Sequence, residues 1–135
     1  MDKVALKDSG HRQKFKTGAQ RDIQYGKGFF SCLPASSIFL VSRIFEDGAM
    51  KYGKNNWQKG IPIQRYISSA LSHIFKYMDG LRDEPHLPMA AWNILCAIWT
   101  AVEVDRKHLP NELNESSNHP LSPYERKSLK YWYSI

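Results

Sequence analysis

With 135 residues the chain can form one domain with one core and is too short for two. Its apolar and charged shares, 42% and 24%, are those of an ordinary globular protein, and its net charge of +6 favours an anionic partner, nucleic acid or nucleoside triphosphate, without choosing between them. Cys32 and Cys96 stand far apart with no metal-ligand spacing, which disfavours a disulfide framework and a zinc site and leaves free thiols.

The chain opens on MDKVALKDSGHRQKF, which is polar and lacks the apolar segment of a signal peptide. No apolar run is read as long enough to span a membrane, so a cytoplasmic protein without a membrane partner is expected. Residues 1–28 are polar and dotted with glycine, carry Lys14, Lys16, Arg21 and Lys27, and show neither a helical nor a strand period. They read as a basic arm that wraps something, with a disordered basic tail as the alternative.

A first helix is expected over 34–52, with Pro34 in its first turn, Ser36 or Ser37 as cap and Gly53 as stop. GKNNWQKGIP then reads as a loop by its Gly, Asn and Pro content. The spacing of Tyr66, Ala70, Leu71, Ile74 and Tyr77 predicts a second helix over 63–78, broken by Asp79-Gly80. A third helix over 88–108 is apolar on nearly every side through MAAWNILCAIWTAV, as the central helix of a fold or an oligomer would be. Residues 110–123 read as a linker, and YERKSLKYWYSI as a short final helix. The expected architecture is an all-α small helical bundle: an arm over 1–28, a helical core of three main helices over 29–110, and a linker with a short helix over 111–135. No strand is expected.

Several polar residues sit where such helices should be apolar. Glu46 and Asp47 interrupt the first helix, and Glu46 shares a face with Phe39, Ser42 and Ala49. It is expected to look inward, the alternative being an ion pair to Arg43 or Lys51. His73 on the second helix is either a hydrogen-bonded core residue or part of a site. Asn93 lies in a very apolar stretch and must find partners if buried. His86, seven residues before it, falls near the same face, as does Asp83. Glu46, His73, His86 and Asn93 therefore form a candidate inward polar cluster on three helices, and divalent-metal sites in helical bundles are built in this way from side chains on facing helices. In the loop, Lys51 and Lys54 could meet phosphates, Tyr52 or Trp57 could stack on a base, and Asn55 or Asn56 could bond its edge. A solvated loop with one anchoring Trp explains the same residues, and Arg82 is equally open. No GxxxxGK[ST], GxGxxG or HExxH occurs, which disfavours P-loop, Rossmann and zincin chemistry.

DSGHRQKFKTGAQRDIQYGKG, Leu33-Pro34, FEDGAMKYGKNNWQKGIP and SALSHIFKYMDGLRDEPHLPMAAWNILCAI, in this order over residues 8–113, resemble the dATP/dGTP diphosphohydrolases of phages and prophages, grouped with the MazG-like nucleotide pyrophosphatases. The resemblance implies an all-α fold, oligomeric assembly and Mg²⁺- or Mn²⁺-dependent cleavage of a purine dNTP to dNMP and pyrophosphate. A homo-dimer or homo-tetramer is expected because three short helices bury little surface alone and the third is apolar on nearly every side. The family pattern falls on Glu46, Lys51, Tyr52, Gly53, Asn56, Trp57, His73, Asp83, His86 and Asn93, and in the arm on Thr17, Gly18, Arg21, Asp22 and Lys27. Arg21, Lys27, Lys51, Tyr52, Asn56 and Trp57 of this pattern are the expected substrate-binding residues, and Arg82 joins them only by its place at the end of the second helix. The carboxylate pairs of typical MazG helices are missing: Ala90-Ala91-Trp92-Asn93 stands at one, and His73 replaces a glutamate at the other. Mg²⁺ prefers oxygen ligands, whereas Mn²⁺ accepts mixed nitrogen and oxygen donors more readily. With the resemblance, Glu46, His73, His86 and Asn93 become the expected catalytic residues and Glu46, Asp47 and Asp83 the expected metal ligands, and the site could also draw on Asp79 or Glu84. The sparse carboxylates leave a second reading, a non-catalytic protein that sequesters a nucleotide. A nucleic-acid binder ranks below both, because the basic residues are scattered.

Overall fold

A computed structural model describes residues 6–133; the first five residues of the expected arm and the last two of the expected tail lie outside the described residues. Four helices carry the regular structure: α1 (Ala35–Tyr52), α2 (Ile63–Met78), α3 (His86–Asp105) and α4 (Pro123–Tyr133). The fold is all-α, with one small hairpin of β1 (Arg12–Lys14) and β2 (Gln20–Asp22). The chain divides into two units.

The larger unit, Pro34–Pro123, holds α1, α2 and α3. Here α3 is central, packed extensively on α2 and over a shorter stretch on α1. Small side chains allow the close approach: Ala70 on α2, and Ala90, Cys96, Ala97, Thr100 and Ala101 on α3, are all buried. Tyr66 packs into this core, and its ring meets Trp92 edge-on at 5.9 Å between centroids. By length and mean hydropathy α3 would cross a membrane, contrary to the expectation that no apolar run is that long. It is instead the core helix of this unit: half of its apolar window is buried, and it carries the buried polar residues Asn93, Thr100 and Glu103.

The helix ends follow local chemistry. α2 stops at Gly80, where φ is +88°, with Leu81 N–H donating to Lys76 C=O and Gly80 N–H to Tyr77 C=O. This is the paired end-closing pattern that favours glycine. α3 closes in the same way, His108 N–H to Glu103 C=O and Lys107 N–H to Val104 C=O, but with Lys107 in the left-handed position at φ 64°. Glu103, buried, fixes this end by accepting from His108 Nδ1 at 2.7 Å and Arg106 Nη1 at 3.2 Å. The helix therefore ends at Asp105 rather than at His108, before Pro110 can act. It also begins at His86 rather than Pro88, because Pro88 is tolerated within a first turn.

The other unit joins the segment up to Leu33 with the one from Tyr124 onward. Its hairpin was not expected, since three-residue strands that are nearly all exposed leave no alternating pattern to read. It turns through Gly18 at φ 89°, and Asp22 anchors it by accepting from Lys27 Nζ at 2.7 Å and from the backbone and hydroxyl of Ser9. Those bonds, the one from Lys27 foremost, hold the Asp22 carboxyl far below its ordinary range. In the same unit Phe30 stacks on Trp132, 6.1 Å between centroids.

Candidate active site

The larger unit contains a cavity of about 570 Å³ bounded by α1, the loop after it, α2 and the start of α3. That is the size range of small-molecule sites. α1 contributes Asp47, Gly48, Lys51 and Tyr52; the loop gives Gly53, Asn56 and Trp57; α2 gives Ser69 and His73; and Glu84, Met89, Trp92 and Asn93 come from α3 and the residues before it. Of the residues singled out from sequence, Asp47, Lys51, Tyr52, Asn56, Trp57, His73 and Asn93 therefore share one cavity.

Each is placed by a local reason. Trp57 is anchored edge-on against Phe45 and Trp99, at 5.5 and 4.8 Å between centroids, so it fixes the loop to the core. Tyr52 is free of that cluster and 61% exposed, which makes it the aromatic ring available for stacking. Lys51 Nζ lies 5.0 Å from the Tyr52 ring centre, and its pKa is raised by that neighbour, so it stays cationic. Asn93 is buried, and its Nδ2 donates to Met89 C=O at 2.8 Å. A carbonyl only accepts, so the amide orientation is fixed and the Oδ1 is the atom left for the cavity. Gly48 lies in mid-helix, and a Cβ built on it meets nothing within 4 Å.

His73 is half-buried and joins a chain of side chains: its Nδ1 lies 2.9 Å from His86 Nδ1, and His86 Nε2 lies 2.9 Å from Asp83 Oδ1. Burial, more than its charged neighbours, pushes His73 below its ordinary 6.5. The hydrogen bond from His86 lowers the Asp83 carboxyl.

Several expectations are corrected by this geometry. Glu46 does not look inward: it is exposed and paired with Arg43 at 2.7 Å, and Asp47, next in the chain, takes the cavity wall. One residue is a 100° turn on a helix, enough to exchange the two faces. His86 is buried behind His73 rather than on the cavity wall, with both ring nitrogens engaged. Asp83 holds His86 and does not line the cavity. Arg82 folds back over the Tyr77 ring at 3.9 Å, donates to the carbonyls of Tyr77 and Leu81 at the end of α2, and is not among the residues lining this cavity. Arg21, Lys27, Thr17 and Gly18 belong to the other unit, where Lys27 is paired with Asp22, and the substrate role of Arg21 and Lys27 stays an expectation of the resemblance that this geometry does not correct.

A family model described as dATP/dGTP diphosphohydrolase, N-terminal, matches residues 11–108, well over half of the chain. The chain belongs to this family. No curated protein and no solved structure matches it. The matched stretch includes the hairpin, α1, α2 and α3 and every cavity residue of this diphosphohydrolase family member, and it ends before α4.

The divalent ion implied by the resemblance needs several oxygen donors at one point. Asp47 and Glu84 both reach the cavity wall, but among the described residues no three His, Cys, Asp or Glu side chains gather as a metal site. The donor set among the described residues of one chain does not fit a complete Mg²⁺ or Mn²⁺ site. Gly48, Ser69, Met89 and Trp92 were not singled out from sequence. Ser69 lies one turn before His73 and Met89 one turn before Asn93, a helical spacing that could have found them; Gly48 and Trp92 carry no such signal.

Proposed function

We propose that the chain hydrolyses dATP or dGTP to the nucleoside monophosphate and pyrophosphate in this cavity. The observation that carries the proposal is the convergence of Lys51, Tyr52, Asn56, Asp47, His73 and Asn93 on one cavity in a member of this family. Water supplies the oxygen that bonds to the α-phosphorus, the α–β bridging bond breaks, and pyrophosphate leaves with the bridging oxygen. His73 takes the proton of the attacking water, assisted by the Asp47 carboxylate. Lys51 offsets charge on the phosphates, Tyr52 stacks on the purine, and the Asn56 amide bonds its edge. Asn93 Oδ1, fixed in direction, orients the water or the sugar hydroxyl.

The absence of a complete donor set favours a second reading, nucleotide binding without turnover. Incubation with each dNTP in Mg²⁺, Mn²⁺ or chelator, with products separated by anion exchange, decides between them. Purine dNMP and pyrophosphate in equal amounts support the hydrolase; binding without product supports the sequestering protein. A homo-oligomer is also proposed, because Ile38, Phe39 and Leu40 on α1, Phe75 on α2 and Ile94, Leu95 and Ile98 on α3 are exposed, an uncovered apolar surface unusual for a monomer.

A further inference from the structure

We propose that Asp83 and His86 are positioning residues that fix the tautomer of His73, so that His73 presents a lone pair on Nε2, not an N–H, to the cavity. The hydrogen-bond chain runs outward from the cavity through three side chains: His73 on its wall, His86 completely covered at the first residue of α3, and Asp83 in the preceding loop with a largely exposed carboxylate. Direction enters at the outer end. A carboxylate only accepts, so the 2.9 Å contact of Asp83 Oδ1 requires the proton of His86 on Nε2.

A second proton on His86 would place a cation in the interior, and its counter-charge, 64% exposed, is well screened by water. In neutral His86 the Nδ1 is therefore a lone pair. It lies 2.9 Å from His73 Nδ1, which must donate to it. The one proton of neutral His73 is thus spent on this bond, and its Nε2 is left basic on the cavity side. An unconstrained imidazole prefers the opposite form, with its proton on Nε2. The arrangement reverses that preference at the residue assigned to receive the proton of water, and it rests on the hydrolase reading for that role only. Neither Asp83 nor His86 need touch the substrate.

The tautomer is measured directly on the full chain labelled with ¹⁵N-histidine, by long-range ¹H–¹⁵N correlation, beside Asp83→Ala and Asp83→Glu. The wild type is expected to show His73 protonated on Nδ1. Asp83→Ala, at an exposed position that leaves the core intact, is expected to populate the Nε2–H form, because water at that point can donate as well as accept. Asp83→Glu is expected to restore the wild-type pattern. With dATP or dGTP, Asp83→Ala should lower kcat about 10- to 100-fold at unchanged KM, the range seen when outer hydrogen-bond partners of ligating histidines are removed. A wild-type His73 protonated on Nε2, or a tautomer indifferent to Asp83→Ala, overturns the positioning role. A shifted tautomer with unchanged kcat overturns its catalytic use. A wild type that turns over neither nucleotide refutes the hydrolase reading instead, and the spectrum still decides the tautomer.

Discussion

Gly48 offers a substitution whose effects on stability and on binding should have opposite signs. It lies in the middle of α1 with ordinary helical geometry, lines the cavity, and has open space where a Cβ would project. Glycine in a helix interior costs about 0.5–1 kcal/mol relative to alanine, because the unfolded chain loses more freedom on folding. With no clash to offset it, Gly48→Ala should recover that amount. For a chain of this size about 1 kcal/mol moves the midpoint of thermal unfolding by roughly 4 °C, so a rise of a few degrees is expected by circular dichroism. Gly48→Leu keeps the helix and fills part of the cavity, so it should leave the midpoint near that of Gly48→Ala while raising KM for the purine dNTP. Gly53, also on the cavity, is the control. Its φ of 95° with ψ of 148° lies where residues with side chains rarely go, so Gly53→Ala should cost about 1–3 kcal/mol. A lower midpoint for Gly48→Ala would refute the open space above this residue. Unchanged nucleotide binding by Gly48→Leu would refute the use of this wall by substrate.

Lys107 holds the left-handed position at the end of α3, so Lys107→Gly should stabilise by about 1 kcal/mol in denaturant titration. Tyr52→Ala should leave unfolding within about 0.5 kcal/mol of wild type but weaken nucleotide binding by about 1–3 kcal/mol, read by calorimetry. Glu46→Gln breaks only an exposed pair with Arg43 and should change stability by less than about 1 kcal/mol. Its turnover should survive while Asp47→Asn loses it; the reverse result would place the active carboxylate on a face that a second copy completes. His73 is depressed below its ordinary 6.5, so below that pH the unfolded chain binds a proton that the folded chain refuses. Stability present above pH 6.5 should be lost as pH falls toward the folded value, and His73→Gln should flatten this slope between pH 8 and 5; parallel melting curves for the two would refute it. Asp83, also depressed, acts in a separate window, losing its contribution only as pH falls below 3.8.

Helix positions were legible because proline and glycine act locally. Pro34, Gly53, Pro62 and Gly80 bracket α1 and α2 within a residue of where sequence placed them. Much of the cavity was legible too, since KYGKNNW brings a cation, amides and an aromatic ring into one short segment. The end of α3 was not, because it depends on a lysine in a glycine conformation, held by a buried glutamate. The hairpin was not, because exposed strands carry no pattern.

The sequence by itself determined the family, the all-helical fold and the set of polar residues that must find partners within apolar helices. Local spacing and composition suffice for those. Only the tertiary structure decided how the residues divide their roles. Glu46 and Asp47 are adjacent, chemically alike and both exposed, and only the tertiary structure sets Asp47 at the cavity while Glu46 pairs with Arg43 outside it. His73 and His86 are both histidines on apolar faces, and the α2–α3 contact places one on the wall and the other behind it. Which face of a helix is buried depends on its neighbours, and no single segment of the chain contains that information.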